Sequence, residues 1–398
     1  MSLNKKKYLY DIVIIGGLGH VGLPLGIVLA VQGFNVALYD INEAYAATVR
    51  SGKMPFIEYD AEPLLKKVLA SRKLSVYTDS KVIAKAKTVI VAIGTPVDQY
   101  LNPKVREFFR IFNDFRKYLS KDQLIIIRST VYPHTCQQLG RVLGGEGWKI
   151  AYCPERIVQG YAIRELRDLP QLVAGLTPEA QDEAAQVFDR ITSKILKVSM
   201  SEAELAKLFT NAWRYIQFAV TNQFYMMATD LGVDYDHLRK TMMDSYGRAA
   251  NLPTAGFAAG PCLLKDTLQL AAFSNNTFLL GHSAMMINEG LPNFVVNRLR
   301  AKYDLSQKKV GILGMTFKAD IDDIRDSLSY KLGKILRFHG ADVYYSDEYA
   351  QDPDFVSKER LIKLSDIIII GTPHSAYKNL KVPQKKDVID LWGIVEKG

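Results

Sequence analysis

The run Asp11-Ile-Val-Ile-Ile-Gly16-Gly17-Leu-Gly19-His20-Val21-Gly22-Leu-Pro-Leu-Gly-Ile-Val-Leu-Ala30 decides the fold. The apolar residues before the glycines read as a buried strand, and the small-residue run after Gly22 as the helix packed on it. Gly17, Gly19 and Gly22 have the G-x-G-x-x-G spacing: Gly17 for the tight turn, Gly19 to admit a pyrophosphate, Gly22 for close packing of helix and strand. The helix amino terminus then faces the phosphates, with His20 and Val21 in the loop beside them. The next strand, Phe34-Asn-Val-Ala-Leu-Tyr-Asp40, ends on an acid. A carboxylate there accepts from both ribose hydroxyls and repels a 2′-phosphate, so NAD is expected over NADP.

Outward from this unit the βα alternation continues. Lys87-Thr-Val-Ile-Val-Ala-Ile-Gly-Thr95-Pro96 and Gln123-Leu-Ile-Ile-Ile-Arg-Ser129-Thr130-Val-Tyr-Pro133 are apolar strands that end in turn-forming residues. In a doubly wound sheet the carboxyl ends of the strands face the ligand crevice, which makes Thr95, Pro96, Ser129 and Thr130 candidates to touch cofactor or substrate. After Ala151 comes Tyr-Cys-Pro-Glu155-Arg156-Ile-Val-Gln-Gly160. Here Glu155 can assist a water and Arg156 can hold a phosphate; a surface ion pair is the plain alternative.

A long helix is predicted from Ser201 to Gly232, with Ser201 and Glu204 as its capping box. Glu204, Lys207, Asn211 and Arg214 follow at three- and four-residue steps along one face, opposite a strongly apolar one that suits a second copy of the chain. Beyond it, Asn251-Leu-Pro-Thr-Ala-Gly256-Phe257-Ala-Ala-Gly260-Pro-Cys262-Leu-Leu-Lys265-Asp266 delivers one cysteine from a loop of small residues. A nearby cation, Lys265 being the first candidate, lowers a thiol pKa and supplies thiolate at neutral pH. Helical sequence from Thr267 to about Tyr303 leads to a partial repeat of the opening domain. Lys308 to Ser327 reads as a new strand, loop and helix, Ala341-Asp-Val-Tyr-Tyr-Ser-Asp347 as another strand-ending acid, and Ser365 to Pro373 echoes the run around Thr95. Its loop lacks the full glycine pattern and suits a nucleotide other than NAD, with Lys318 and Arg325 as phosphate candidates.

Composition narrows the function classes. The chain has 398 residues, enough for two or three domains, and 48% hydrophobic and 23% charged content typical of a soluble protein. Cys136, Cys153 and Cys262 are too few and scattered for a disulfide framework or a C-x-x-C metal site, so no metal is expected and the usage fits a cytoplasmic protein. No signal peptide or membrane span is read at the amino terminus. The net charge of +9 comes without a basic run interleaved with aromatics, which disfavours nucleic acid and fits an anionic small substrate.

The motifs Gly-Leu-Gly-His-Val-Gly, Gly-Thr-Pro, Ser-Thr-Val-Tyr-Pro, Cys-Pro-Glu-Arg, Glu-Leu-Ala-Lys-Leu-Phe-Thr-Asn, Gly-Pro-Cys-Leu-Leu-Lys-Asp, Gly-Met-Thr-Phe-Lys-Ala-Asp and Asp-Asp-Ile-Arg-Asp-Ser occur in this order. Together they resemble the UDP-glucose/GDP-mannose dehydrogenase family over nearly the whole chain, Asp11 to Asp390. The resemblance implies an α/β protein of two Rossmann-like doubly wound domains joined by a central helical domain with a long helix. The expected boundaries are 1–198 for the NAD domain, 199–304 for the central dimerisation and catalytic domain, and 305–398 for the UDP-sugar domain. It implies Cys262 as nucleophile, Lys207 and Asn211 as oxyanion donors, and Asp266, Thr130 and Glu155 in water and proton handling. Substrate contacts are expected from Glu155, Arg156, Lys207, Asn211, Arg214, Asn251, Phe257, Gly260, Lys318 and Arg325, with Arg248 reaching the site of the partner subunit in a homodimer.

Two positions depart from the family pattern. The loop reads Ala-Gly-Pro-Cys where Gly-Gly-His-Cys or Gly-Gly-Tyr-Cys is common, and Asn222-Gln223 stands where Asn-Glu is common. Both leave the reactive groups intact and bear on the sugar. The expected activity is oxidation of C6 of a UDP-hexose to the uronate by NAD. A UDP-N-acetylhexosamine of the mannosamine type is favoured, with UDP-glucose as the alternative. A non-catalytic NAD-binding regulatory protein is the reading from a different class, disfavoured by the intact Cys262, Lys207, Asn211 and Asp266.

Overall fold

The computed structural model describes residues 8–95, 98 and 104–395. The chain divides into two compact units, Met1–Phe209 and Thr210–Gly398. Pro96 lies outside the described residues.

In the first unit, strands β1 (Tyr10–Ile15), β2 (Val36–Tyr39), β3 (Leu74–Tyr77), β4 (Ala86–Val91), β5 (Leu124–Ile127), β6 (Lys149–Tyr152), β7 (Gln171–Gly175) and β8 (Ile195–Lys197) form one sheet. Their order is β3-β2-β1-β4-β5-β6-β7-β8, and every pair is parallel except β6 with β7. The strand order reverses at β1, between β2 and β4, which is the switch point of a doubly wound sheet. Successive side chains go to opposite faces: Ile12 and Ile14 join one core with Leu38, Ile90 and Ile126, while Val13 and Ile15 join the other with Ala37, Val89 and Ile125. Burial on both faces is why these strands are continuous apolar runs. The helix Gly22–Val31 is buried on all sides from Gly22 to Ala30.

The second unit begins within the long helix Met200–Asp230 and continues through helices Tyr235–Met243, Leu263–Phe273 and Leu279–Lys302. The last two are separated where the sequence reading ran them together, because Asn275 and Asn276 take positive φ. A parallel sheet follows from β9 (Lys309–Leu313), β10 (Asp342–Ser346), β11 (Ile367–Ile370) and β12 (Asp387–Asp390), in the order β10-β9-β11-β12. This repeats β2-β1-β4-β5, as the partial repeat in sequence predicts. Leu291, Val295, Val296 and Leu299 of the helix Leu279–Lys302 pack into the same core as Val310, Ile312 and Ile369. The fold class is the expected one: α/β, with one predominantly parallel sheet, a second parallel sheet and helices between them in the chain.

The start of the long helix corrects the sequence reading. It begins at Met200, and its capping box is Ser199 with Glu202: the Glu202 N–H donates to Ser199 Oγ (3.3 Å) and the Ser199 N–H to Glu202 Oε2 (2.7 Å). Glu204 is instead fully buried, and its carboxylate accepts the N–H groups of His134 (2.7 Å) and Cys136 (3.2 Å) at the amino terminus of the helix Thr135–Val142. Ser199-x-x-Glu202 and Ser201-x-x-Glu204 are equal as patterns. The buried N–H groups of another helix decide between them.

Candidate active site

The glycine loop follows β1, and the structure reassigns two of its roles. Gly16, at φ +75, makes the left-handed turn expected of Gly17. Gly17 serves close packing: a Cβ there would lie 2.8 Å from the Ile14 carbonyl and 2.9 Å from Leu38. A Cβ at Gly22 would overlap the Gly16 carbonyl, so the helix is pressed against the turn rather than a strand. At Gly19 a Cβ would meet only the Gly16 carbonyl oxygen, at 3.7 Å. Space is thus kept open above Gly19, as approach of a pyrophosphate to the backbone requires. Asp40 directly follows β2, and its Oδ2 accepts the Leu18 N–H (3.1 Å) and its Oδ1 the Asn42 N–H (3.1 Å), which holds the acid against the loop. Val21 caps the helix, and the His20 ring lies 3.9 Å from Phe56 and 3.3 Å from Gln159 Nε2. These residues fit a dinucleotide.

Thr95, Thr130 and Glu155 follow the carboxyl ends of β4, β5 and β6, at the same sheet edge as the glycine loop after β1. Glu155 Oε2 stands 3.8 Å from Lys207 Nζ, with both side chains largely buried. Glu155 Oε1 is buried and has no hydrogen-bond partner among the described residues. Arg156 donates to the Pro170 carbonyl, which makes it in part a brace for its own loop.

Sequence reasoning missed the support behind Glu155. Arg128 is fully buried and donates to the Cys153 carbonyl (3.1 Å) and Gln171 Oε1 (2.9 Å), and Gln171 Nε2 donates to the Pro154 carbonyl (3.1 Å). Burial lowers the Arg128 pKa, with the Glu155 charge opposing. The only signal in sequence was an arginine ending an otherwise apolar strand.

In the second unit, Cys262 is exposed and is the N-cap residue of the helix Leu263–Phe273. A thiol at a helix amino terminus is favoured as thiolate. One turn later Asp266 is fully buried, accepts from Asn211 Nδ2 at 2.6 Å, and has Lys265 Nζ 3.5 Å from its other oxygen. Lys265 is therefore a partner of Asp266 in this structure. Arg325 makes a forked pair with Asp323, Nε to Oδ1 at 3.0 Å and Nη2 to Oδ2 at 2.6 Å. That bond is the main reason its pKa is raised; burial opposes, and the acidic groups of Asp323, Cys262 and Asp326 nearby add to it. Gly260, at φ +100, is packed on the Phe317 ring and donates its N–H to the Asp326 carbonyl (3.4 Å).

The polar face of the long helix is buried over its first part. Glu204, Lys207 and Asn211 are 0%, 6% and 6% exposed, whereas Trp213 is 60% exposed. Arg214 lies on the exposed side, as do Arg248 and Asn251 on their loop; Phe257 is buried, and Lys318 is half-buried.

The acid ending β10 differs from Asp40 in its partners. Asp347 Oδ2 accepts the N–H groups of Met315 (2.6 Å) and Thr316 (3.2 Å) and lies 3.0 Å from His374 Nε2. His374 Nδ1 accepts the Asp320 N–H (2.9 Å), which assigns the Nε2 proton to the bond with Asp347. Among the described residues no group of three His, Cys, Asp or Glu side chains could hold a metal ion, and no helix is long and apolar enough to cross a membrane.

Three models of one family match in order: the NAD binding domain of the UDP-glucose/GDP-mannose dehydrogenase family over residues 10–192, its central domain over 201–289 and its UDP binding domain over 311–397. The chain belongs to the UDP-glucose/GDP-mannose dehydrogenase family. It is an NAD-dependent nucleotide-sugar dehydrogenase. It is 28% identical over 404 residues to UDP-N-acetyl-D-mannosamine dehydrogenase of Methanococcus aeolicus, covering 98% of this chain and 90% of that one. The structure of the UDP-D-ManNAc dehydrogenase of Pyrococcus horikoshii is similar at TM-score 0.89 and 26% identity, covering 97% of this chain and 96% of that chain. That of a UDP-glucose dehydrogenase from Pyrobaculum islandicum has a TM-score of 0.86 at 22% identity, covering 99% and 96%, a likeness of fold.

Proposed function

We propose that this dehydrogenase carries out the four-electron oxidation of C6 of UDP-N-acetylmannosamine, or a close UDP-N-acetylhexosamine, to the uronate through a thioester on Cys262. The observation that carries the reading is the placement of Cys262 at a helix amino terminus one turn before a buried Asp266 bonded to Asn211. The names of the relatives from Methanococcus and Pyrococcus support the sugar.

Gly16 to Gly22, Asp40, Thr95 and Thr130 would hold NAD, which when bound would supply the hydride-accepting chemistry. The first oxidation leaves an aldehyde, which has no second hydride to give until its carbon becomes tetrahedral. The Cys262 thiolate adds to that carbon and the oxygen takes a proton, giving a thiohemiacetal. Loss of the second hydride, with the hydroxyl proton passing to a carboxylate of the Asp266 and Glu155 set, leaves a thioester. Water positioned by Asp266, Glu155 and Thr130 hydrolyses it, releasing carboxylate and restoring the thiol. Lys207 and Asn211 donate to the oxyanion of each tetrahedral state. Lys318 and Arg325 neutralise the diphosphate, and Arg156, Arg214, Asn251, Phe257 and Gly260 complete the sugar-nucleotide contacts.

We further propose a cytoplasmic homodimer built on the long helix, with Arg248 serving the site of the partner subunit, and the three-part division at 198/199 and 304/305. Trp213, Val220, Phe224 and Met227 are exposed and recur at three-, four- and seven-residue steps along the helix, which makes one apolar stripe. A monomer in light scattering at micromolar concentration would overturn the dimer.

The function is tested by offering a panel of UDP-sugars and following NADH absorbance. UDP-N-acetylmannosamine is expected to turn over best, with two NADH formed per sugar. A preference for UDP-glucose would overturn the sugar and leave the chemistry standing, and one NADH per sugar would overturn the chemistry.

A further inference from the structure

Asn211 and Asn222 are eleven residues apart, about three helical turns, and so lie on one face of the long helix. Asn211 bonds Asp266, four residues after the cysteine, and Asn222 bonds Gly256, six residues before it. One helix face therefore grips both flanks of Cys262.

The grip on Gly256 is specific. The Gly256 N–H donates to Asn222 Oδ1 (2.8 Å) and Asn222 Nδ2 donates back to the Gly256 carbonyl (3.0 Å), so the side-chain amide pairs with this residue as a neighbouring strand would. Asn222 Nδ2 also donates to Asn288 Oδ1 (2.9 Å), and Asn288 Nδ2 to the Tyr215 carbonyl (3.0 Å), which fixes the orientation of both amides. Asn222 and Asn288 are fully buried. Gly256 has φ +152, and a Cβ there would overlap the ring of Trp392, whose Nε1 donates to the Gly371 carbonyl (3.2 Å). An amide and an indole thus hold one glycine in a conformation that side chains rarely adopt. With Gly260 packed on Phe317, the loop has two fixed points before the cysteine.

We propose that Asn222 is a positioning residue for Cys262, acting through Gly256, with Asn288 orienting its amide and Trp392 closing the opposite face. The inference rests on the thioester reading above. It separates the two oxidations: removing the first hydride needs no thiol, whereas the second waits for thiolate addition to the aldehyde. A displacement of about 1 Å in a reacting group can cost about a hundredfold in rate. Loss of the Asn222 grip therefore falls on the second oxidation.

The test is a single turnover with enzyme in excess over UDP-N-acetylmannosamine and saturating NAD, followed by NADH absorbance after rapid mixing. The wild-type enzyme is expected to release two NADH per sugar. Asn222→Ala is expected to give the first at the wild-type rate and the second about a hundredfold more slowly. Trp392→Phe loses the Nε1 bond and the outer indole ring that faces Gly256 but leaves the Asn222 grip in place, so its second phase should fall between the two. The ratio of phases belongs to the active molecules alone, so a partly unfolded preparation does not change it. Both phases slowed together, or a second phase that keeps pace with the first, overturns the positioning role. A wild-type enzyme that releases one NADH or none overturns the thioester reading instead, whatever the variants do.

Discussion

Asn211 Nδ2 and Asp266 Oδ2 are 2.6 Å apart, and neither side chain is open to solvent. In Asp266→Asn the new amide can turn its oxygen to Asn211 and keep this bond while losing the charge and the basic oxygen. The variant is expected to fold and to bind substrate near the wild-type KM. Its kcat should fall by about 10²–10⁴, the usual worth of a general acid or base. Steady-state NADH formation with circular dichroism as the folding control checks this; kcat within threefold of wild type would remove Asp266 from the chemistry.

Lys207→Ala removes a proposed oxyanion donor and the ammonium 3.8 Å from Glu155. A loss of about 2.7–4 kcal/mol in the transition state, or 10²–10³ in kcat, is expected. Glu155→Gln with Lys207→Ala should then cost less than the sum of the single changes, as for residues that share a contact. Additive losses would mean that the two side chains work apart.

Replacing the proposed nucleophile gives a qualitative outcome. Cys262→Ser is expected to stop steady uronate production and leave an intermediate trapped or released as the aldehyde, detected by hydrazine capture and mass spectrometry. Unchanged production of two NADH per sugar in this variant excludes the thioester route.

Asp40→Asn tests the cofactor side. The acid accepts two backbone N–H groups and is proposed to accept from the ribose as well. Loss of a charged acceptor is worth about 1.5–3 kcal/mol, so NAD should bind about 10–100-fold more weakly by calorimetry, with NADP affected less. Equal weakening of both would mean that the acid serves only the loop.

Stability in acid should follow Asp347. Its burial alone would raise its pKa, but the hydrogen bond from His374, with those from backbone N–H groups, lowers it below the ordinary carboxylate range. A carboxylate whose native pKa is depressed adds stability above its unfolded-state pKa and loses it as pH falls through the native value. Asp347→Asn is expected to unfold about 1–3 kcal/mol more easily near neutrality, with the gap to wild type narrowing in acid. Urea melts monitored on the second unit across that range check the sign.

The sheets were legible because strands buried on both faces carry continuous apolar runs, as Ile12 to Ile15 and Ile367 to Ile370 do. The chemical groups were legible as residue types in order. What was not legible is which way polar groups face. Glu204, Lys207 and Asn211 look like a solvated stripe, and only the N–H groups of His134 and Cys136, the Glu155 carboxylate and the Asp266 carboxylate, supplied from distant sequence, make burial of that stripe affordable. Gly256 and Trp392 are equally far apart in the chain, so no local pattern could announce their contact.

The glycine loop sorts mutations by what they offend. An added methyl at Gly22 strikes the Gly16 carbonyl in the empty protein, while one at Gly19 strikes nothing closer than 3.7 Å. Selection on folding alone therefore guards Gly22 and ignores Gly19. In a descendant that had abandoned dehydrogenation, Gly19 would drift early and Gly22 would persist, so the pair would date the loss of activity in a lineage that still folds.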